Sequence, residues 1–161
     1  MTIVLDILRH GLALPAGPAG DRQRRLSPEG VCRLTALAAR LASEGWRPAR
    51  IFSSPFLRAM ESAEILARAA GVPPAVEALS ALEPDSEPAE ILDGLAGCGV
   101  MAGHVLLVGH QPLLGRLAGY LAGADRPLSP GMLLRVRCPH GLGRGTGEVV
   151  LTLLAEETGR G

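Results

Sequence analysis

Two spacings of apolar residues alternate along this chain. Thr2–Leu8 ("TIVLDIL") is a β-type run. The Pro/Gly-rich "LPAGPAG" follows, and Asp21 to Arg25 then reads as a polar loop. "SPEG" starts a helix, with Ser27 placed to cap it and Pro28 in its first turn. Val31, Leu34, Leu37, Ala38 and Leu41 recur at helical spacing, and Gly45 ends that helix. "RIFSS" predicts a short strand, followed by Pro55 and a helix to about Ala70. "AVEALSAL" reads as a third strand, "PAEILDGLAG" as a short helix and "HVLLVGH" as a buried strand. Pro112 opens a further helix through Leu121. The tail segments "MLLRVRC" and "EVVLTLLAEE" predict two strands joined by the Gly-rich "PHGLGRGTG", as a hairpin or loop.

Strands alternating with helices predict an α/β fold. The expected architecture is three layers, α/β/α, with a mostly parallel central sheet and helices on both faces. The tail pair is expected antiparallel at one edge. A length of 161 residues suits one domain spanning 1–161, and 47% apolar residues supply a core.

Charge narrows the function. Sixteen basic residues balance sixteen acidic ones, which argues against a general binder of nucleic acid or membrane surfaces. Every basic residue is Arg, so chemistry that needs a lysine amine is excluded: lysine P-loops, Schiff bases and pyridoxal enzymes. The planar fork of Arg suits phosphate or carboxylate. Cys32, Cys98 and Cys138 are far apart and odd in number, and are expected to be reduced, buried small residues. No membrane span or signal peptide is visible, which leads to the expectation of a cytoplasmic protein.

In open α/β sheets, ligands bind beyond the carboxyl ends of the strands. The first strand ends at Arg9-His10-Gly11 and the second runs into "SSPFLRA", placing Arg58 in the first turn of the next helix. The "HVLLVGH" strand ends at Gly109-His110-Gln111-Pro112. Two histidines and two arginines therefore converge on one edge, and the helix starts there favour an anion. Taken singly, each has an ordinary alternative. Arg-His-Gly fits a solvated loop, Arg58 a surface partner of Glu61 or Glu64, and His110 a core histidine. Ser54 and Pro55 fit a simple helix cap. A metal site is not expected. His104 and His110 sit six residues apart on one strand, separated by roughly 20 Å, and His140 has no acidic partner close in sequence.

"ILRHG", "SSPFLRAMESAEIL" and "LLVGHQP" together resemble the three signatures of the histidine phosphatase superfamily, the phosphoglycerate mutase-like fold. The short length and "RRLSPEG" resemble its small bacterial branch, the SixA-type phosphohistidine phosphatases. That resemblance implies a metal-independent phosphatase without a cofactor, in which His10 is the nucleophile and carries a phosphohistidine intermediate. Arg9 and Arg58 would bind the phosphoryl oxygens and His110 would complete the pocket. Gly11, Arg24 and Ser54 are the substrate-side candidates. Gly11 would let the backbone approach the phosphate, and Arg25 is the alternative to Arg24.

Larger members of the superfamily protonate an alkoxide leaving group with a carboxylate. Here the candidates lie in "LEPDSEP": Glu83, Asp85 and Glu87, with Glu83 foremost. An ordinary acidic turn between a strand and a helix is the simpler reading of them. Imidazole leaves easily once protonated, so a site without a committed acid fits phosphohistidine better than an alkyl phosphate. The expected partner is a phosphohistidine-bearing phosphotransfer protein, with phosphate or another anion in the pocket. The alternatives are a small-molecule phosphomonoesterase of the same fold and a non-catalytic phosphate- or phosphoprotein-binding module. Arg135, Arg137 and Arg144 are either a docking surface for an acidic partner or solvated strand and loop residues.

Overall fold

Leu5 and Ile7 alternate with Asp6 and Leu8, which makes the first apolar run a strand buried on both faces, β1 (Ile3–Arg9). A computed structural model describes residues 1–71 and 75–155. After β1 come α1 (Pro28–Ser43), β2 (Arg50–Ser53), α2 (Leu57–Ala69), β3 (Val76–Ala78) and α3 (Pro88–Gly97). They are followed by β4 (Gly103–Gly109), α4 (Leu113–Ala122), β5 (Leu133–Cys138) and β6 (Glu148–Leu153). Short 3-10 turns at Asp21–Gln23 and Ser80–Leu82 precede α1 and α3.

The six strands form one sheet in the order β3-β2-β4-β1-β5-β6. The first four of that order are parallel; β5 is antiparallel to β1, and β6 to β5. On one face, Leu8, Ile51, Leu106 and Val108 pack with Leu34, Leu37 and Leu41 of α1 and Leu66 of α2. On the other, Leu5, Ile7, Phe52 and Leu107 pack with Ile91 and Leu95 of α3 and Leu114 and Leu117 of α4. The expected α/β/α layering is what the chain adopts.

The differences from expectation have local causes. Val31 is 40% exposed. The buried stripe of α1 starts one residue earlier, at Gly30, and continues through Leu34, Leu37, Ala38 and Leu41. A Cβ on Gly30 would lie 2.2 Å from the Leu12 carbonyl oxygen, so glycine is what lets the helix press against that backbone. Ser27 caps the helix as expected, its Oγ accepting the Gly30 N–H at 3.0 Å.

The third strand is three residues, not eight. It lies at the sheet edge and gives way to the 3-10 turn at Ser80, which buries Leu82. Cys32 and Cys98 are exposed rather than buried; only Cys138 meets that expectation. Cys32 falls on the outer side of α1 and Cys98 follows the end of α3, beyond its packed face. The last strand stops at Leu153, and residues 156 and 157 of its predicted range lie outside the described residues.

Candidate active site

Register brings three separate segments together. In the parallel pairing of β1 and β4, Arg9 stands opposite Gly109, and in that of β2 and β4, Ser53 stands opposite Val108. The His10 N–H donates to the Gly109 carbonyl at 3.0 Å, and the Ser54 N–H to Val108 at 2.9 Å. His10, Ser54 and His110 therefore leave the sheet side by side at its carboxyl edge. The two imidazole centroids are 5.2 Å apart. With Arg9, Gly11, Asp21, Arg24 and Arg58 they surround a cavity of about 330 Å³, though Ser54 itself is not in its wall.

The protonation of His10 follows from its partners. Nδ1 is 2.7 Å from the Gly11 carbonyl, which can only accept, so Nδ1 carries the proton. Nε2 is then a lone pair, and it accepts from Arg58 Nε at 3.3 Å. Burial lowers the His10 pKa to about 4, aided by the charges of Arg58, Arg9 and Arg24 and opposed by the Gly11 hydrogen bond. His110 is lowered to about 3, first by burial and then by His10 and Arg58. Its Nε2 is hydrogen-bonded to Ser54 Oγ at 2.8 Å, while its Nδ1 is buried without a protein partner among the described residues. Both rings are neutral at neutral pH.

The arginines come from different elements and are anchored differently. Arg58, at the start of α2, is 5% exposed and has its guanidinium carbon 5.2 Å from the centre of the Phe56 ring. It donates to the Asp21 carbonyl at 2.8 Å and to Asp21 Oδ2 at 3.3 Å. Arg24 donates from Nε to the Leu14 carbonyl at 2.8 Å and from a terminal nitrogen to Asp21 Oδ1 at 3.2 Å. Arg9 donates to the Leu128 carbonyl at 2.9 Å, and its buried Nε has no protein partner among the described residues. Burial and the nearby Arg58 charge lower the Arg9 pKa from its ordinary value. Such a concentration of guanidinium N–H groups around a neutral imidazole can hold a tetrahedral oxyanion against a nucleophilic nitrogen.

Not every candidate sits where the sequence suggested. Arg25 points away from the cavity and pairs with Glu61 at 3.1 Å, which separates it from Arg24. Arg58 pairs with neither Glu61 nor Glu64; its carboxylate partner is Asp21. Ser54 is fully buried, takes the Phe56 N–H at 3.2 Å and supports His110 from behind. Gly11 does line the cavity, but the space its missing Cβ leaves is taken by Leu34 Cδ1, at 2.7 Å. Glycine is needed there for packing against α1. Glu83 is bound by Arg22 and does not line the cavity, although the next residue, Pro84, does.

Two further residues escaped sequence reasoning. Ser62, one helical turn after Arg58, accepts the Gly11 N–H at 3.1 Å and donates to the Arg58 carbonyl at 2.7 Å, tying α2 to the end of β1. Asp21 had only its place in a polar loop, three residues before Arg24, as a signal. Among the described residues no group of three or more His, Cys, Asp or Glu side chains is arranged to hold a metal ion.

The model of the histidine phosphatase superfamily (branch 1) matches residues 5–81, which carry the first two arginine-bearing segments. An uncharacterised protein of Picosynechococcus is 37% identical over 120 residues, 73% of this chain and 72% of that protein. The phosphohistidine phosphatase SixA of Escherichia coli is 32% identical over 125 residues, 75% of each chain. A solved structure of the protein histidine phosphatase SixA, complexed with tungstate, superposes with a TM-score of 0.79 at 26% identity, covering 96% of this chain and 97% of the other. Sequence, fold and the convergence of His10, Arg58 and His110 agree: the chain belongs to the histidine phosphatase superfamily, in its SixA-like group, and is a phosphatase.

Proposed function

We propose that this phosphatase hydrolyses phosphohistidine on another protein, through a phosphohistidine intermediate on His10. The observation that carries the proposal is the His10 tautomer. The Gly11 carbonyl takes the Nδ1 proton, so Nε2 is an unprotonated nucleophile facing an arginine cradle. In the first step the Nε2 lone pair attacks phosphorus, and the bond from phosphorus to the substrate nitrogen breaks. Its electron pair goes to the departing ring, whose other nitrogen already carries a proton taken from solvent, so it leaves as neutral imidazole. Water then attacks the phosphoenzyme and gives up a proton to solvent, the P–Nε2 electron pair returns to the His10 ring, and inorganic phosphate is released. Arg9 and Arg58, with Arg24 at the rim, balance the oxyanion charge through both steps. Neutral His110 completes the cradle from the end of β4, with Ser54 fixing its ring.

The leaving group decides the substrate class. An alkoxide needs a positioned acid, whereas imidazole does not. Asp21, the carboxylate in the cavity wall, is held ionised by Arg24 and Arg58, and Glu83 is engaged by Arg22 outside it. Neither is poised to donate a proton. The similarity to SixA, a phosphohistidine phosphatase, supports the same substrate class. The SixA structure is complexed with tungstate, a phosphate-like oxyanion, which supports an oxyanion as a ligand of this fold. The test compares phosphate release from a phosphohistidine-bearing protein and from an alkyl phosphate, for the wild type and Glu83→Gln, with chelator present. Faster turnover of phosphohistidine, unmoved by Glu83→Gln, is expected. Faster turnover of the alkyl phosphate, falling tenfold or more in the variant, would assign Glu83 as the acid and favour a phosphomonoesterase.

A further inference from the structure

Asp21 is an unexpected residue for a pocket that binds phosphate. It puts a negative charge into the wall of a cavity whose other charged or titratable lining is Arg9, Arg24, Arg58 and two histidines. Its carboxylate occupies donors that an oxyanion would use, a terminal nitrogen of Arg58 at 3.3 Å and one of Arg24 at 3.2 Å. Partial burial pushes its carboxyl upward, but hydrogen bonding and charge from Arg24 and Arg58 outweigh that and hold it below the usual carboxylate range.

The carboxylate is not required to hold the arginines. Arg58 is buried against Phe56 and also bound by the backbone carbonyl of residue 21, and Arg24 is fixed through Nε to Leu14. Removing the charge therefore leaves the cradle in place and makes it more positive. A carboxylate within a few ångströms of a bound dianion repels it, and at a half-exposed position that effect amounts to about tenfold in affinity.

We propose that Asp21 is a specificity residue of this site. Its fixed negative charge weakens the hold on inorganic phosphate and discriminates against phosphorylated compounds whose leaving group carries a carboxylate. A neutral or cationic leaving group, such as a protonating imidazole, meets no such penalty. Product release is eased by the same charge. The inference rests on the phosphoryl group binding at His10 and the arginines.

The test uses the whole chain. Inorganic phosphate binding is measured by calorimetry for the wild type, Asp21→Asn, Asp21→Ser and Arg58→Met. Steady-state kcat/KM is measured with phenyl phosphate and with 4-carboxyphenyl phosphate, which differ by one carboxylate. Both Asp21 variants are expected to bind phosphate about tenfold more tightly, and to raise the rate ratio of the carboxylated to the plain ester by about tenfold. Unchanged or weaker phosphate binding, or an unmoved ratio, would overturn the role of Asp21. Phosphate affinity untouched by Arg58→Met would show instead that the anion sits elsewhere, and the proposed function would fail with it.

Discussion

His10 and His110 are kept neutral by the same burial that makes one of them a nucleophile. In the unfolded chain both titrate near 6.5, and in the folded protein near 4 and 3. Between those values the unfolded chain binds more protons, so folding stability falls as pH falls from about 6.5 toward the folded values. The full contribution is present above pH 6.5. From pH 7 to pH 5 the loss is about 2 kcal/mol for each histidine. Thermal unfolding followed at the two pH values should show a midpoint lower at pH 5 by on the order of 10 °C. A His10→Asn/His110→Asn double variant should lose most of that difference. A wild-type midpoint that stays level across this range would mean that the rings are not buried in neutral form.

At the scale of elements, one buried residue joins four segments. Asp6, in the middle of β1, is fully buried and accepts from Trp46 Nε1 at 2.7 Å, from His104 Nε2 at 2.5 Å and from Arg135 Nε at 2.7 Å. β4, β5 and the segment after α1 thus converge on the strand that presents Arg9 and His10. Asp6→Asn would turn an amide N–H₂ toward donors and leave Arg135 unbalanced. It should destabilise the protein by about 3 kcal/mol in denaturant unfolding, while the activity per folded molecule stays close to wild type. A loss under 1 kcal/mol would show that the network contributes little.

Elements with strong periodicity were legible in the sequence; contacts between distant loops were not. The strand ends at Arg9-His10, Ser53-Ser54 and Gly109-His110 could be located because apolar runs stop there and because such edges carry sites. The start of the α1 stripe falls at Gly30 and not at Val31, because glycine has no hydropathy to signal burial and Gly30 is buried for close approach. The third strand reads longer in the sequence than in the fold because Leu79, which leads into the 3-10 turn, and Leu82, within it, are apolar for packing and not for strand pairing. Asp6 reads as an interruption in an apolar run, and its partners lie 40, 98 and 129 residues away. Asp21 meets Arg58 across 37 residues, a contact that only the fold creates.

For the molecule as a whole, the sheet acts as a rigid bracket. Parallel pairing of β1, β4 and β2 sets three loops at one edge, and two cores clamp those strands from opposite faces. The phosphatase family fixes the class of chemistry, and the proposed route takes the phosphoryl group through His10 Nε2. The most direct measurement is intact and peptide mass analysis of the protein quenched at alkaline pH during turnover of a phosphohistidine-bearing substrate, for the wild type and His10→Ala. The wild type should carry one acid-labile phosphoryl group on the peptide containing His10, and His10→Ala should carry none and release no phosphate. Phosphoryl label on another residue, or undiminished turnover by His10→Ala, would rule out His10 as the nucleophile.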